Sequence, residues 1–145
     1  MKKLLFSFLL LLTAVVGRAE DFEVDGIYYN ITSAEELTVE VTYKGDSYAQ
    51  RDDRYSGSVE ISENVTYDGV TYSVTAIGDH AFAYCKNLTS VTIPGSVVSV
   101  DVRAFNECTA LTSVTIPHGV VSMGEYVFFG CSALTSVTIP NSVTT

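Results

Sequence analysis

The clearest pattern along the chain is a set of apolar positions that recurs every 23 residues. Each copy has the spacing L-x-x-V-x-I-P, with polar residues between the apolar ones. Val91 and Ile93 are two residues apart, so on a strand both point to one face while Thr92 points to the other. One short strand cannot bury that face alone, whereas stacked copies bury it in a parallel sheet. The pattern therefore predicts a repeat solenoid.

The full unit reads I-G-x-x-A-F-x-x-C-x-x-L-T-S-V-T-I-P-x-S-V-x-S, and L-T-S-V-T-I-P is identical in three copies. The proline ends each strand, because it has no N–H to donate to a neighbouring strand. The A-F-x-x-C segment is predicted to cross back with Phe and Cys pointing inward. We expect four short parallel strands, centred near residues 60, 92, 115 and 138. The repeated apolar columns are Ile77/Val100/Met123, Phe82/Phe105/Phe128, Cys85/Cys108/Cys131, Leu88/Leu111/Leu134, Val91/Val114/Val137 and Ile93/Ile116/Ile139.

The strand near residue 60 requires an insertion. Residues 58–65 align with residues 90–97 if Ser62 replaces the proline, and Val59 then precedes Val91 by 32 residues, nine more than one unit. Asp68-Gly69 lies between alternating Tyr and Val residues, a strong hairpin signal. The extra residues are therefore predicted to form a hairpin around Asp68-Gly69.

The residues before the repeats form a different, acidic segment. Residues 22–29 read as a hairpin around Asp25-Gly26, and residues 37–43 as an alternating strand. Residues 20–68 hold 13 acids and three bases, whereas residues 69–145 hold four acids and two bases. We predict that residues 20–57 are an acidic N-terminal β cap that covers the first coil of an array over residues 58–145.

Residues 1–19 are predicted to be a signal peptide. Lys2 and Lys3 precede an apolar stretch that ends near Val16, and small residues support cleavage after Ala19. A retained membrane anchor is the alternative, but the stretch is short for a span, so the mature chain is expected not to span a membrane. The prediction is a secreted or cell-surface protein.

The last copy stops at residues 141–145, before another I-G-x-x-A-F segment. We therefore expect the array to be C-terminally incomplete. The alternative is that its open edge pairs with another molecule, end to end.

Charge excludes some partners. The chain has eight Lys+Arg and 17 Asp+Glu, a formal charge of −9, and loss of Lys2, Lys3 and Arg18 with the leader brings it to −12. Nucleic acid, which binds basic surfaces, is therefore not an expected partner.

The A-F-x-x-C-x-x-L-x-x-V-x-I-P unit resembles the BspA-like class of leucine-rich repeats, which occurs in exported surface proteins of Bacteroides-type bacteria and some protists. The resemblance covers residues 58–145 and departs from the pattern at Ser62, Asp101 and Val127. It implies surface display, adhesion to host matrix proteins or other bacteria, and no catalysis.

Cysteine and histidine give no catalytic or cofactor site. Cys85, Cys108 and Cys131 share one inward position, so each is expected to fill a corner of the core. Disulfides remain an alternative for an exported chain, although stacked side chains have poor geometry for one. No C-x-x-C or histidine pair accompanies them, so no metal site is predicted.

The candidate binding face is a row of hydroxyls on the outer side of the predicted sheet. Threonine suits a half-exposed strand, so one interpretation is that the row is purely structural. The alternative is that it binds an extended glycan, helped by exposed cap tyrosines. We call this set the hydroxyl face: Thr89, Ser90, Thr92, Thr112, Ser113, Thr115, Thr135, Ser136 and Thr138.

Overall fold

The computed structural model describes residues 20–49 and 55–145. The predicted signal peptide lies outside the described residues. No helix long and apolar enough to cross a membrane occurs in the described part of the chain. The strands there are β1 (Phe22–Val24), β2 (Ile27–Ser33), β3 (Thr38–Thr42), β4 (Ser56–Glu60), β5 (Asn64–Tyr67), β6 (Val70–Ile77), β7 (Asn87–Thr92), β8 (Ser99–Val100), β9 (Ser113–Thr115) and β10 (Ser122–Met123).

Two parallel ladders run along the repeats. The short sheet has the order β4-β7-β9, with Val91 paired to Val114, 23 residues later. Its first pair joins Val59 to Val91, so the 32-residue step predicted from the sequence is present. The long sheet has the order β1-β2-β3-β6-β8-β10, with β5 beside β6. The coils that begin with β4, β7 and β9 therefore each contribute a strand to both sheets.

The long sheet also contains the N-terminal strands. β1 and β2 are antiparallel, β2 and β3 are antiparallel, and β3 then pairs in parallel with β6. Backbone hydrogen bonding thus passes from the N-terminal segment into the repeats without a break. The apolar residues of β3, Val39 and Val41, are fully buried and belong to the same core as the coils.

Both predicted hairpins are present. β1 and β2 are joined by Asp25-Gly26, and β5 and β6 by Asp68-Gly69. All four residues have positive φ, between 52° and 80°. Such turns match the twist of paired strands, and Asp and Gly tolerate the left-handed region better than most residues.

An aromatic stack forms the centre of the core. The rings of Phe82 and Phe105 are 5.0 Å apart and parallel within 2°, and Phe128 follows at 5.5 Å. Tyr55 covers the N-terminal end of the stack, with its ring 4.6 Å from that of Phe82. Its hydroxyl donates to the Thr42 carbonyl at 2.7 Å and accepts from the backbone N–H of Tyr28 at 3.0 Å.

The three cysteines are free and buried. Cys108 Sγ donates to the carbonyl of Phe82 at 3.0 Å, and Cys131 Sγ donates to that of Phe105 at 3.0 Å. These two thiols thus satisfy a carbonyl of the preceding coil, whereas the Cys85 thiol contacts the Ala83 carbonyl in its own turn at 3.9 Å. The inward structural role predicted for this column is confirmed.

One predicted strand is absent, and one ladder is present that was not predicted. No strand forms near residue 138, where a fourth parallel strand was expected. Ile139 is 47% exposed, whereas Ile93 and Ile116 are 6% and 4% exposed. The second ladder, through Ile77, Val100 and Met123, was not predicted. End-to-end association stays a prediction.

Candidate functional site

Five of the nine residues of the hydroxyl face lie in strands of the short sheet, namely Thr89, Ser90, Thr92, Ser113 and Thr115. Ser90 pairs with Ser113 and Thr92 with Thr115, so these hydroxyls form rows across β7 and β9. All nine residues are exposed except Ser90, which is half-buried. The third row, residues 135–138, follows β9 without forming a strand.

Some of these hydroxyls already have partners within the chain. Ser90 Oγ donates to Ser58 Oγ at 2.9 Å, and Thr112 Oγ1 donates to the Thr89 carbonyl at 3.1 Å. Hydroxyls bonded between coils stabilise the stack and offer less to a ligand. The face is therefore flat and polar, with part of its hydrogen-bonding capacity already used.

A second surface, which sequence reasoning missed, lies on the turns between the two sheets. We call it the aromatic turn surface: Tyr48, His80, Tyr84, Arg103, Tyr126 and Phe129. These residues line a cavity of about 340 Å³ together with Asn106 and Glu107. His80, Arg103 and Tyr126 occupy one repeat column, which the sequence alone indicates only as variable and polar.

The backbone fixes this column. His80, Arg103 and Tyr126 all have positive φ, between 54° and 58°. The turns also hydrogen-bond to one another: His80 N–H donates to the Val102 carbonyl at 3.1 Å, and Arg103 N–H donates to the Glu125 carbonyl at 2.9 Å. The column is therefore held in place by the coil backbone as well as by side-chain packing.

Ring contacts order the side chains along the surface. The Tyr48 ring stacks on His80 at 3.9 Å, and the Arg103 guanidinium lies 5.1 Å from the centre of the Tyr126 ring. Tyr126 and Phe129 meet edge to face at 5.9 Å. These two rings are 55% and 59% exposed, so they offer apolar area to solvent that the fold does not bury.

The thiols of the cysteine column differ in acidity. Hydrogen bonding to the Cys131 and Cys85 thiols, together with burial, holds the pKa of the Cys108 thiol far above its usual range. The reactive thiolate is therefore disfavoured at Cys108, whereas the hydrogen bond with Cys108 lowers the pKa of the Cys131 thiol. Within residues 20–49 and 55–145, no group of three or more His, Cys, Asp and Glu side chains is placed to hold a metal ion.

Comparison with known proteins identifies the repeat. The sequence matches the family described as "BspA type Leucine rich repeat region (6 copies)" over residues 54–145. A search of curated proteins found no match.

Solved structures have the same fold. A leucine-rich repeat protein from Bacteroides ovatus is 35% identical with a TM-score of 0.74, over 85% of this chain and 30% of that protein. One from Bacteroides capillosus is 31% identical with a TM-score of 0.70, over 88% and 85%. A leucine rich cell surface protein from Faecalibacterium prausnitzii is 28% identical with a TM-score of 0.63, over 85% and 37%. The chain thus spans about a third of the first and third of these structures.

Proposed function

Since the chain belongs to the BspA-type leucine-rich repeat family, we propose that it is an exported, secreted or cell-surface module that binds proteins, in the adhesion class, without enzyme activity. The leader pattern of residues 1–19 and the similarity to a leucine rich cell surface protein support the location. Host matrix proteins or bacterial surface proteins are the proposed partners.

The observation that carries this proposal is the aromatic turn surface. Tyr and Arg are enriched among the residues that dominate protein–protein binding energy, whereas Ser and Thr are under-represented there. Tyr126 and Phe129 are exposed, and Arg103 lies against one of them. Because hydrogen bonds between coils already fix the turns, binding orders little additional backbone.

The parts of this surface have different roles in the proposal. The exposed rings of Tyr126 and Phe129 supply apolar area for a partner to bury. The Arg103 guanidinium can donate to carbonyl or carboxylate oxygens of the partner, and the Glu107 carboxylate can accept from its N–H groups. The cavity of about 340 Å³ gives room for protruding side chains.

A glycan-binding module is the competing proposal, and one observation favours it. The exposed hydroxyls of the hydroxyl face repeat at the strand spacing of about 4.8 Å, which suits a regular extended ligand. The exposed Tyr67, in β5 of the long sheet, could contribute a ring. Protein binding is preferred because the hydroxyl face lacks aromatic or arginine anchors.

The test measures binding of the mature chain to immobilised extracellular-matrix proteins and bacterial surface proteins, in parallel with a glycan array. The aromatic variant combines Tyr126→Asn, chosen because Asn tolerates positive φ, with Phe129→Ala. The matched control combines Thr92→Ala with Thr115→Ala on the hydroxyl face. We expect the aromatic variant to weaken protein binding by at least about tenfold, with an unchanged melting temperature, and the control to stay within about twofold. Saturable glycan binding that only the threonine variant abolishes, without any protein partner, would contradict the proposal.

A further inference from the structure

The two sheets begin at different points along the stack. In the long sheet, β3 lies beside β6 on the side away from the later coils. In the short sheet, β4 is the first strand, and in the described part of the chain it pairs with β7 alone. β3 thus extends the long sheet beyond the first coil. No strand of the described chain extends the short sheet in the same way beside β4.

A cavity of about 350 Å³ lies along this edge of β4, and we call it the edge groove. The turn between β1 and β2 and the start of β2 form one wall, and β4 forms the other. The side chain of Ile27 is buried, and the Tyr55 hydroxyl makes hydrogen bonds with the backbone of Thr42 and Tyr28. Both walls of the groove are therefore held in place by the fold. The lining residues are Asp25, Gly26, Ile27, Tyr28, Tyr55, Ser56, Ser58, Val59 and Glu60.

The backbone of β4 offers strand-pairing groups to the groove. Ile61 N–H, just after β4, donates to the Thr92 carbonyl at 3.1 Å, on the β7 side. Peptide groups along a strand alternate between its two sides, so those of Ser58 and Glu60 face away from β7. The strand shift in the β4–β7 pairing lies before Ser58, so the alternation is unbroken between these two residues. Such an edge is a template for another extended chain.

Charge selects among the possible occupants. Asp25 on one wall and Glu60 on the other are both exposed carboxylates, and Lys44 lies 5.7 Å from the ring of Tyr28. Residues 20–68 as a whole have 13 acids and three bases. A second copy of this chain would bring its own Glu60 against these carboxylates, and like charges on paired strands are destabilising.

We infer that the edge groove binds an extended peptide segment with basic side chains, which adds a strand to the short sheet beside β4. Main-chain hydrogen bonds to Ser58 and Glu60 supply affinity, and the carboxylates of Asp25 and Glu60 select lysine or arginine. This site is separate from the aromatic turn surface, so its occupancy does not depend on the proposed function.

The experiment uses the mature chain and a labelled, end-capped peptide of about eight alternating lysine and threonine residues, a length that covers a typical strand. Fluorescence anisotropy gives its affinity. We expect the glutamate analogue to bind at least about tenfold more weakly. Two further peptides carry N-methyl groups on alternate backbone nitrogens, in opposite phases. Because only one edge of an added strand faces β4, one phase should lose binding and the other should keep it.

Protein variants locate the site. Glu60→Lys should weaken binding of the lysine peptide by at least about tenfold, whereas the control Glu63→Lys, an exposed residue outside the groove, should change it less than about threefold. The Tyr126→Asn, Phe129→Ala variant should bind the peptide as the unchanged chain does. Three outcomes would each overturn the inference. The two methylated peptides could bind equally well or equally poorly, Glu60→Lys and Glu63→Lys could weaken binding of the lysine peptide equally, or the chain could form a dimer that Glu60→Lys disrupts.

Discussion

At the scale of single residues, burial decides the behaviour of the few polar groups inside the stack. Tyr55 is the clearest case, because its hydroxyl joins β2 to the carbonyl of Thr42 while its ring covers Phe82. Burial raises its pKa well above the usual value for tyrosine. The residue therefore stays protonated, so it keeps the hydrogen that it donates to Thr42.

Glu40 leads to a prediction on pH. Burial raises the pKa of its carboxyl, the hydrogen bond from Asn30 lowers it, and Asp101, Asp79 and Asp21 raise it further. The folded chain therefore holds this proton more tightly than the unfolded chain. The resulting stabilisation is present below the ordinary glutamate pKa and is lost as pH rises through the raised value.

Glu40→Gln should therefore raise the melting temperature at about pH 7. It should have little effect at about pH 3, where the Glu40 carboxyl and the glutamine that replaces it are both neutral. Glutamine keeps an oxygen that can accept from Asn30. Thermal unfolding at both pH values measures the effect, with the exposed Glu63→Gln as the control. A lower melting temperature of Glu40→Gln at neutral pH would show that the ionised carboxylate stabilises the fold.

At the scale of elements, the coils are held together where their backbones approach most closely. Phe105 N–H donates to the Val127 carbonyl at 2.9 Å on the turn side, while the strands pair on the other two sides. Gly124, just after β10, lies at one of these approaches. A Cβ added there would lie 2.5 Å from the backbone nitrogen of Val102, in the preceding coil.

Gly124→Ala should therefore destabilise the chain by more than about 1 kcal/mol, because backbone rather than a movable side chain blocks the methyl group. Gly95→Ala is the matched control: a Cβ at Gly95 meets nothing within 4 Å, and its φ is not in the positive region. We expect that control to be neutral or slightly stabilising. Equal midpoints in urea for the two variants would contradict the proposed spacing of the coils.

At the scale of the whole molecule, the N-terminal strands and the coils share one core. A single cluster of buried apolar residues runs from Phe22 to Cys131, and the long sheet connects β3 to β6 by backbone pairing. Repeat proteins gain stability from interfaces between neighbours. A substitution that destabilises one coil should therefore also destabilise the N-terminal strands.

Ile116→Asp places an unpaired charge between stacked coils, at a position only 4% exposed. We expect a loss of about 3–5 kcal/mol and faster hydrogen exchange at Val39 and Val41 in β3, which is separated from the coil of Ile116 by two further coils. Thr115→Asp, the same change at the neighbouring exposed residue, should leave both nearly unchanged. Protected β3 amides in an Ile116→Asp chain whose coils have unfolded would show that the N-terminal strands fold independently.

The sequence by itself determined the coil and its inner surface. The 23-residue period, the alternation of Val91, Thr92 and Ile93, and both Asp-Gly hairpins follow from local patterns, because side-chain periodicity and turn chemistry depend on neighbours in the chain. The 32-residue step to β4 was predictable for the same reason. Recognition of the repeat family rested on these residues.

Only the tertiary structure decided which surfaces the coils create. The pairing of β3 with β6, the ring contacts around Arg103 and the edge groove beside β4 join residues far apart in sequence. Such contacts depend on the rotation and rise from one coil to the next, which a repeat pattern does not encode. The exposure of Ile139 and the missing strand near residue 138 were also not predictable, because residues 136–139 have the same sequence as residues 90–93 and 113–116.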